Sequence, residues 1–170
     1  MKIVGLESVR RGYCNLTRRM QKWALKSILD GMGADDIRDR LRATYKEMLG
    51  GKYDKDLIIT MGINELDTYN YKKRGSKGLP HYRAAVMAKE AGYPPRYDIS
   101  FMYSGDDVRP ILDGIVPGDI NHKWYYERQI LGVIEPLIAS VQIQTGTYHK
   151  AQRKRKTICH AITDFPQHSS

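Results

Sequence analysis

Apolar residues at helical spacing predict a first helix early in the chain. Asn15 or Thr17 is expected to cap this helix, and Asp30-Gly31 to end it. Its inward positions recur every three to four residues at Leu16, Met20, Trp23, Ala24, Ser27 and Ile28.

A second helix follows directly. Asp35 and Asp36 lie where acids favour a helix N-terminus, and Gly50-Gly51 ends the pattern. The predicted inward stripe consists of Ile37, Leu41, Tyr45 and Met48.

Short β-favouring runs predict strands at residues 3–9, 57–61 and 97–103, with a turn at residues 104–107. Between the second and third of these, Pro80 is placed to open a helix that runs to Ala91 and is closed by Gly92.

The last helix is expected to start near Asn121, with a kink or interruption at Pro136. Its predicted inward residues are Trp124, Ile130, Leu131, Ile134, Leu137, Ile138 and Val141. Beyond about residue 144 the periodicity stops, so a flexible basic tail is expected. The pattern as a whole predicts a mainly α-helical α+β fold.

The composition excludes several classes of protein. Of 170 residues, 41% are hydrophobic and 28% charged, which is ordinary for a globular chain. No apolar run approaches a membrane span, and the N-terminus lacks a secretory pattern, so a cytoplasmic protein is expected. Cys14 and Cys159 are expected to be reduced thiols, and the five histidines show no zinc-ligand spacing.

The formal net charge of +9 is distributed in alternating blocks. Residues 1–30, 69–96 and 147–170 are basic, whereas residues 31–68 and 97–146 are acidic. Such blocks can assemble a basic face that binds a phosphate backbone, or they can form a generically basic surface. Charge alone leaves both interpretations open.

Two basic segments are the candidates for phosphate contact. Arg10 and Arg11 lie between a predicted strand and a predicted helix, where two guanidinium groups need phosphates or carboxylates as partners. A glycine- and tyrosine-bearing loop carries Lys72, Lys73, Arg74 and Lys77. The helix start at Pro80 offers free N–H groups to a phosphate, and His81 can bind that phosphate or cap the helix.

Asp106 and Asp107 follow a predicted strand, as carboxylates that hold two metal ions do in many template-dependent polymerases. That chemistry needs a further carboxylate on a neighbouring strand and a nucleotide-binding region, for which the chain leaves little room. A metal-dependent nucleotidyltransferase is therefore the weaker alternative.

Three further motifs follow one another along the chain. They are Gly-Leu-Glu-Ser-Val-Arg-Arg at residues 5–11, Tyr71-Lys72 with Pro-His-Tyr-Arg-Ala-Ala at residues 80–85, and Ile-Asn-His-Lys-Trp-Tyr-Tyr-Glu-Arg-Gln at residues 120–129. In the same order, they resemble the G-L-E-x-V-R-R-D segment, the Y-K and P-H-V-x-A-A stretch and the I-D-x-x-Y-Y-x-x-x-Q helix in the thumb region of family B DNA polymerases. Gly12 stands in place of the Asp of the first motif, and Asn121 and Trp124 depart from the third.

The resemblance implies a boundary strand at 1–12, a thumb-like DNA-binding domain at 13–143 and a tail at 144–170. It implies that the chain contacts primer–template duplex DNA. Arg83, in the motif that resembles the tip of the thumb, is one more implied DNA contact. The family's polymerase carboxylates are absent from the sequence, so the resemblance implies either the small chain of an enzyme split between two polypeptides, as some archaeal family B polymerases are, or a truncated or divided gene product. In either case, DNA synthesis would need a separate palm- and exonuclease-bearing chain that holds Mg²⁺. This chain itself is expected to bind no cofactor. A stand-alone basic nucleic-acid-binding protein is the other alternative.

The tail offers one further candidate contact. Ile162 and Phe165 keep the Ile-x-x-Phe core of the peptide that binds sliding clamps, but Cys159 and Pro166 depart from that motif. A disordered tail with no clamp partner is the competing interpretation.

Overall fold

The computed structural model describes residues 12–63, 78–95 and 97–140. Two long helices come first, α1 (Asn15–Leu29) and α2 (Ala34–Leu49). The turn between them contains Gly31 at φ +84, a left-handed conformation that glycine adopts without a steric penalty. The structure confirms both predicted helices.

The start of α1 differs from the prediction. The N-cap is Cys14, which makes no side-chain capping bond, and Asn15 is already helical. Thr17 is fully buried, and its hydroxyl donates to Gln129 Oε1 at 3.2 Å. The predicted caps were wrong because a residue distant in sequence supplies the polar partner at this end of the helix.

A small antiparallel sheet has the strand order β1-β2-β3. Its strands are β1 (Ile59–Gly62), β2 (Asp98–Ser104) and β3 (Asp107–Pro110), with β1 and β3 both paired to β2. The predicted strand at 57–61 begins later because Leu57, which is buried, belongs to a 3-10 turn, Asp54–Leu57. The strand predicted at 97–103 is confirmed as β2.

Helix α3 (Pro80–Glu90) packs on β2 and β3. Pro80 occupies its first turn as predicted, where the missing N–H costs no intrahelical hydrogen bond. Ala84, Ala85 and Ala88 are essentially fully buried, and these small side chains let the helix lie close to the sheet. Gly92, at φ +87, follows the helix end.

The last helix, α4, runs from His122 to residue 140 and contains an irregular middle. His122–Trp124 is α-helical, Tyr125–Leu131 is π-helical, and residues 132–140 are α-helical again. The helix continues through Pro136, so the predicted interruption there was wrong. It begins beside Asn121, whose side chain accepts a hydrogen bond from the Trp124 N–H at 2.9 Å.

The π-helical segment changes which side chains face the core. Tyr125 and Ile130, five residues apart, are fully buried, as the i to i+5 pattern of a π-helix requires. Trp124 and Leu131, which the 3.6-residue pattern places inward, are only partly buried. Burying each large apolar side chain stabilises the fold by about 1.5–3 kcal/mol, so this phase shift decides which residues hold α4 in place.

The described residues form a mainly helical α+β fold around one core that includes residues from all four helices and the sheet. Cys14 lies in this core as a free thiol, as predicted. No helix in the described ranges has the length and apolarity needed to cross a bilayer. The strand predicted at 3–9, Cys159 and the tail from 144 onward lie outside the described residues, so the predicted domain boundaries stay predictions.

Candidate nucleic-acid interface

Most of the predicted phosphate contacts lie outside the part of the chain that the structure describes. Those residues are Arg10, Arg11, Lys72, Lys73, Arg74 and Lys77. Two others, His81 and Arg83, lie in the first turn of α3. The described structure therefore shows two of the candidate contact residues, His81 and Arg83, and the residues that hold the neighbouring backbone in place.

The start of α3 offers fewer free N–H groups than the sequence suggests. Pro80 has none, and the amides of Tyr82 and Arg83 both donate to the Leu79 carbonyl at 3.1 Å. Within the described residues, the His81 N–H is the backbone amide of this turn that has no hydrogen-bond partner. A phosphate would thus meet one amide here, together with the His81 side chain.

His81 is half-buried at this helix start. Its ring lies 4.6 Å from that of Tyr82, with the planes tilted by 45°. Of the two alternative roles of His81, the helix cap is not observed, because α3 has no side-chain capping hydrogen bond. Burial lowers the pKa of His81 by removing water from the charged form. At neutral pH the ring is therefore a neutral hydrogen-bonding group.

Arg83 is held by the hairpin that joins β2 and β3. Its Nη2 lies 2.6 Å from Asp107 Oδ1, and its Nη1 lies 3.5 Å from the Gly78 carbonyl oxygen. The side chain is 17% exposed. The guanidinium thus ties the beginning of α3 to the hairpin, and a phosphate reaching it would compete with Asp107.

The same ion pair bears on the alternative role of Asp106 and Asp107. The Asp107 carboxylate accepts from Arg83 and from the Val108 N–H at 2.7 Å, while Asp106 is exposed at the turn. Within residues 12–63, 78–95 and 97–140, no group of three His, Cys, Asp or Glu side chains is arranged to hold a metal ion. The described geometry gives Asp107 a structural role in the hairpin, while Asp106 lies exposed at its turn.

Contacts from the start of α4 fix the position of the hairpin. The Tyr103 ring stacks on Trp124 with centroids 3.4 Å apart, and the Tyr103 N–H donates to the Tyr125 hydroxyl at 3.0 Å. Asn121 Nδ2 donates to the Gly105 carbonyl at 2.7 Å, and Ser104 hydrogen-bonds the Asp119 carboxylate. The two departures noted in the last motif, Asn121 and Trp124, therefore both act in holding the hairpin.

Gln129 is a buried polar residue to which the sequence motifs assigned no role. It is 4% exposed and lies in the π-helical segment of α4. Its Oε1 accepts from the Cys14 N–H at 3.0 Å and from the Thr17 hydroxyl, while its Nε2 donates to the Gly12 carbonyl at 3.0 Å. The available sequence signal is the glutamine that closes the Trp-Tyr-x-x-x-Gln run at residues 124–129, but its partners are fixed only by the fold.

These bonds fix the backbone at the exit from the Arg10-Arg11 segment. Gly12 adopts φ +102, which L side chains rarely adopt, and this explains glycine at a position where the resembling motif has Asp. Arg11 is covalently joined to this held glycine. The Gln129 network thus fixes the backbone at the residue that follows the two predicted arginines in the sequence.

Comparison with solved structures relates this arrangement to a known architecture. The family B DNA polymerase from the hyperthermophilic archaeon Pyrobaculum calidifontis matches with a TM-score of 0.57 and 20% sequence identity, over 72% of this chain and 17% of that polymerase. The chain has a polymerase-related fold. This agrees with the family that the three motifs resemble.

The likeness to the polymerase is found by comparison of structures alone. No protein-family model matches the chain, and no curated protein does. Because the match covers 17% of the polymerase, this chain corresponds to a small part of that enzyme's length.

Proposed function

We propose that this chain binds primer–template duplex DNA through its phosphates, as the thumb portion of a family B DNA polymerase. The observation that carries the proposal is the structural match, which takes in most of this chain and a small part of the polymerase. The order of the three motifs independently favours the same family.

The role proposed for this chain is to hold the duplex. The contacts we propose are Arg10, Arg11, Lys72, Lys73, Arg74, Lys77, His81 and, in competition with Asp107, Arg83. The lysines and arginines in this set neutralise phosphates and release counterions, which gives affinity without reading base sequence, while the neutral His81 ring can contribute a hydrogen bond. The Gln129 network supports the proposal because it holds the backbone next to Arg11 in one position.

DNA synthesis would require a second chain that bears the palm and holds Mg²⁺. In that palm the metal ions would stabilise the charge that develops during phosphoryl transfer. The present chain would contribute by gripping the duplex and keeping the primer end in place. A sliding-clamp contact through Ile162 and Phe165, and a cytoplasmic location, stay predictions.

Fluorescence anisotropy with the full chain tests the proposal. A labelled primer–template duplex and its single strand are titrated over a series of salt concentrations. We expect tighter binding to the duplex, the same affinity for unrelated sequences, and a steep fall of affinity with salt. Arg10→Gln with Arg11→Gln should lower the slope of log K against log salt by about 2, since each phosphate contact contributes about 0.9.

The matched control removes two exposed positive charges elsewhere, with Arg40→Gln and Lys46→Gln on α2. An equal loss in both double variants would show binding to net charge rather than to a defined site. Equal affinity for duplex and single strand would contradict the thumb role. Primer extension that appears only when a palm-bearing chain is added distinguishes a polymerase part from a stand-alone DNA-binding protein.

A further inference from the structure

Helix α1 carries only positive charge. Its fifteen residues contain four basic side chains and no acidic one. The four are Arg18, Arg19, Lys22 and Lys26. All four are exposed, while the opposite face of the helix is buried in the core. Arg19 pairs with Asp56, an acidic residue outside the helix, at 2.9 Å.

Three of these cations lie in one row, which we call the α1 basic row: Arg18, Lys22 and Lys26. Residues four apart lie on the same face of a helix, so the row runs along the exposed side of α1. Within the described part of the chain, Lys22 and Lys26 form no ion pair. Their charges are thus available to an external anion.

The dimensions of the row match a nucleic-acid backbone. Eight residues of helix rise by about 12 Å, and the phosphates of one DNA strand follow one another at about 3.4 Å along the duplex axis. The row can therefore lie beside three to four successive phosphates. Flexible lysine side chains reach phosphates without demanding a particular base.

The row also begins next to the proposed phosphate contacts. Gly12, bonded to Arg11, and Cys14, the N-cap of α1, are both held by Gln129. The arginine pair and the basic row are thus consecutive along the chain, joined by a fixed backbone.

We infer that the α1 basic row is a further binding site for the phosphate backbone of duplex DNA, with Lys22 and Lys26 as direct contacts. This inference rests on the proposed duplex binding and extends it to a surface that none of the predicted contacts includes.

Lys22→Gln with Lys26→Gln tests the inference in the full chain, by the same anisotropy titration on duplex DNA. Loss of two phosphate contacts should lower the salt slope by about 2 and weaken binding at least tenfold at about 0.1 M salt. Lys22→Arg with Lys26→Arg keeps both charges and should retain the wild-type slope. The Arg40→Gln, Lys46→Gln control on α2 loses the same net charge and should keep the slope of the wild type.

The possible outcomes separate the two proposals. A wild-type slope in the Lys22→Gln, Lys26→Gln variant, with duplex binding intact, overturns the basic row and leaves the proposed function standing. Equal losses in this variant and the α2 control overturn it as well, because net charge then explains the effect. Failure of the wild-type chain to bind duplex overturns the proposed function itself. A circular dichroism spectrum identical to that of the wild type verifies folding of each variant.

Discussion

Helices α1 and α2 carry four basic residues each but use them differently. In α2 four acidic residues accompany the bases, and Arg42 pairs with Asp39 at 2.6 Å within the helix. Arg38 pairs with Glu135 of α4 at 3.0 Å, so this charge joins α2 to the last helix. In α1 no acid accompanies the bases. Two of the four bases of α2, Arg38 and Arg42, are thus paired with carboxylates, and acidic residues of the same helix offset its charge. Helix α1 has no acidic residue to offset its four exposed bases.

The two helices are also attached to α4 by different chemistry. Helix α1 is attached through buried neutral groups, where Gln129 meets Gly12, Cys14 and Thr17. Helix α2 is attached through the partly exposed Arg38–Glu135 pair and the stack of Tyr45 on Tyr126, with ring centroids 4.5 Å apart. Since buried hydrogen bonds resist salt and pH, the attachment of α1 is expected to be the more constant of the two.

Gln129→Leu should produce the largest effect on stability. The substitution keeps the volume but leaves a buried N–H, a hydroxyl and a carbonyl without their glutamine partner. Because each such group costs about 1–3 kcal/mol when unsatisfied, we expect a loss of about 3 kcal/mol in the free energy of unfolding, measured with urea. Arg128→Gln, at an exposed position one residue earlier, should change it by less than about 0.5 kcal/mol. Equal values for the two variants would show that the network does not anchor α1.

Glu47→Gln should change how stability responds to acid. The pKa of Glu47 lies below its usual range because Tyr53 donates a hydrogen bond to it at 2.6 Å and Lys52 lies 2.9 Å away. A carboxyl with a lowered pKa stabilises the fold above its ordinary pKa, and this contribution is lost as the pH falls through the folded pKa. Between about pH 6 and pH 3 the wild type should therefore lose more stability than the variant.

Tyr53→Phe provides the matched test, because it removes the strongest of these contacts and keeps the ring. Its unfolding free energy should fall less steeply with acid than that of the wild type, yet more steeply than that of Glu47→Gln. Parallel curves for all three proteins would contradict this account. Since α1 contains no carboxylate, any acid sensitivity traced to this site belongs to the α2 side of the comparison.

The contrast between the two helices also shows what could be predicted from sequence. Local patterns sufficed for the inward faces and C-terminal ends of α1 and α2 and for the start of α3, since apolar spacing and glycines such as Gly31 act within a few residues. They failed for the π-helical segment, whose Tyr125 reaches the Tyr103 N–H across the fold. Apolar spacing contains no information about such a partner. The 3.6-residue pattern therefore predicts Trp124 as the buried residue, whereas the structure buries Tyr125.

The candidate site shows the same division. The sequence of α1 shows both that the helix has no acidic residue and that three of its bases are four residues apart, although the predicted site did not include them. The partner of Arg83 could not be read in the same way, because the β2–β3 hairpin brings Asp107 to it. Which cations remain available thus depends on tertiary pairing, whereas which cations share a helix face follows from spacing.

Lys22→Gln should produce the smallest change in the free energy of unfolding, and this change should be a gain in stability. Lys22 lies four residues from both Arg18 and Lys26, and like charges at this spacing destabilise a helix. Removing it should raise the free energy of unfolding by about 0.5 kcal/mol at low salt, with the gain shrinking as salt screens the repulsion. Arg42→Gln on α2 is the counterpart: it removes the pair with Asp39 and should lower stability by a similar small amount. A chain that gains stability on losing Lys22 but loses affinity for duplex DNA would show that this charge serves an external partner rather than the fold. If both substitutions instead lower stability alike, the two helices use their charges in the same way.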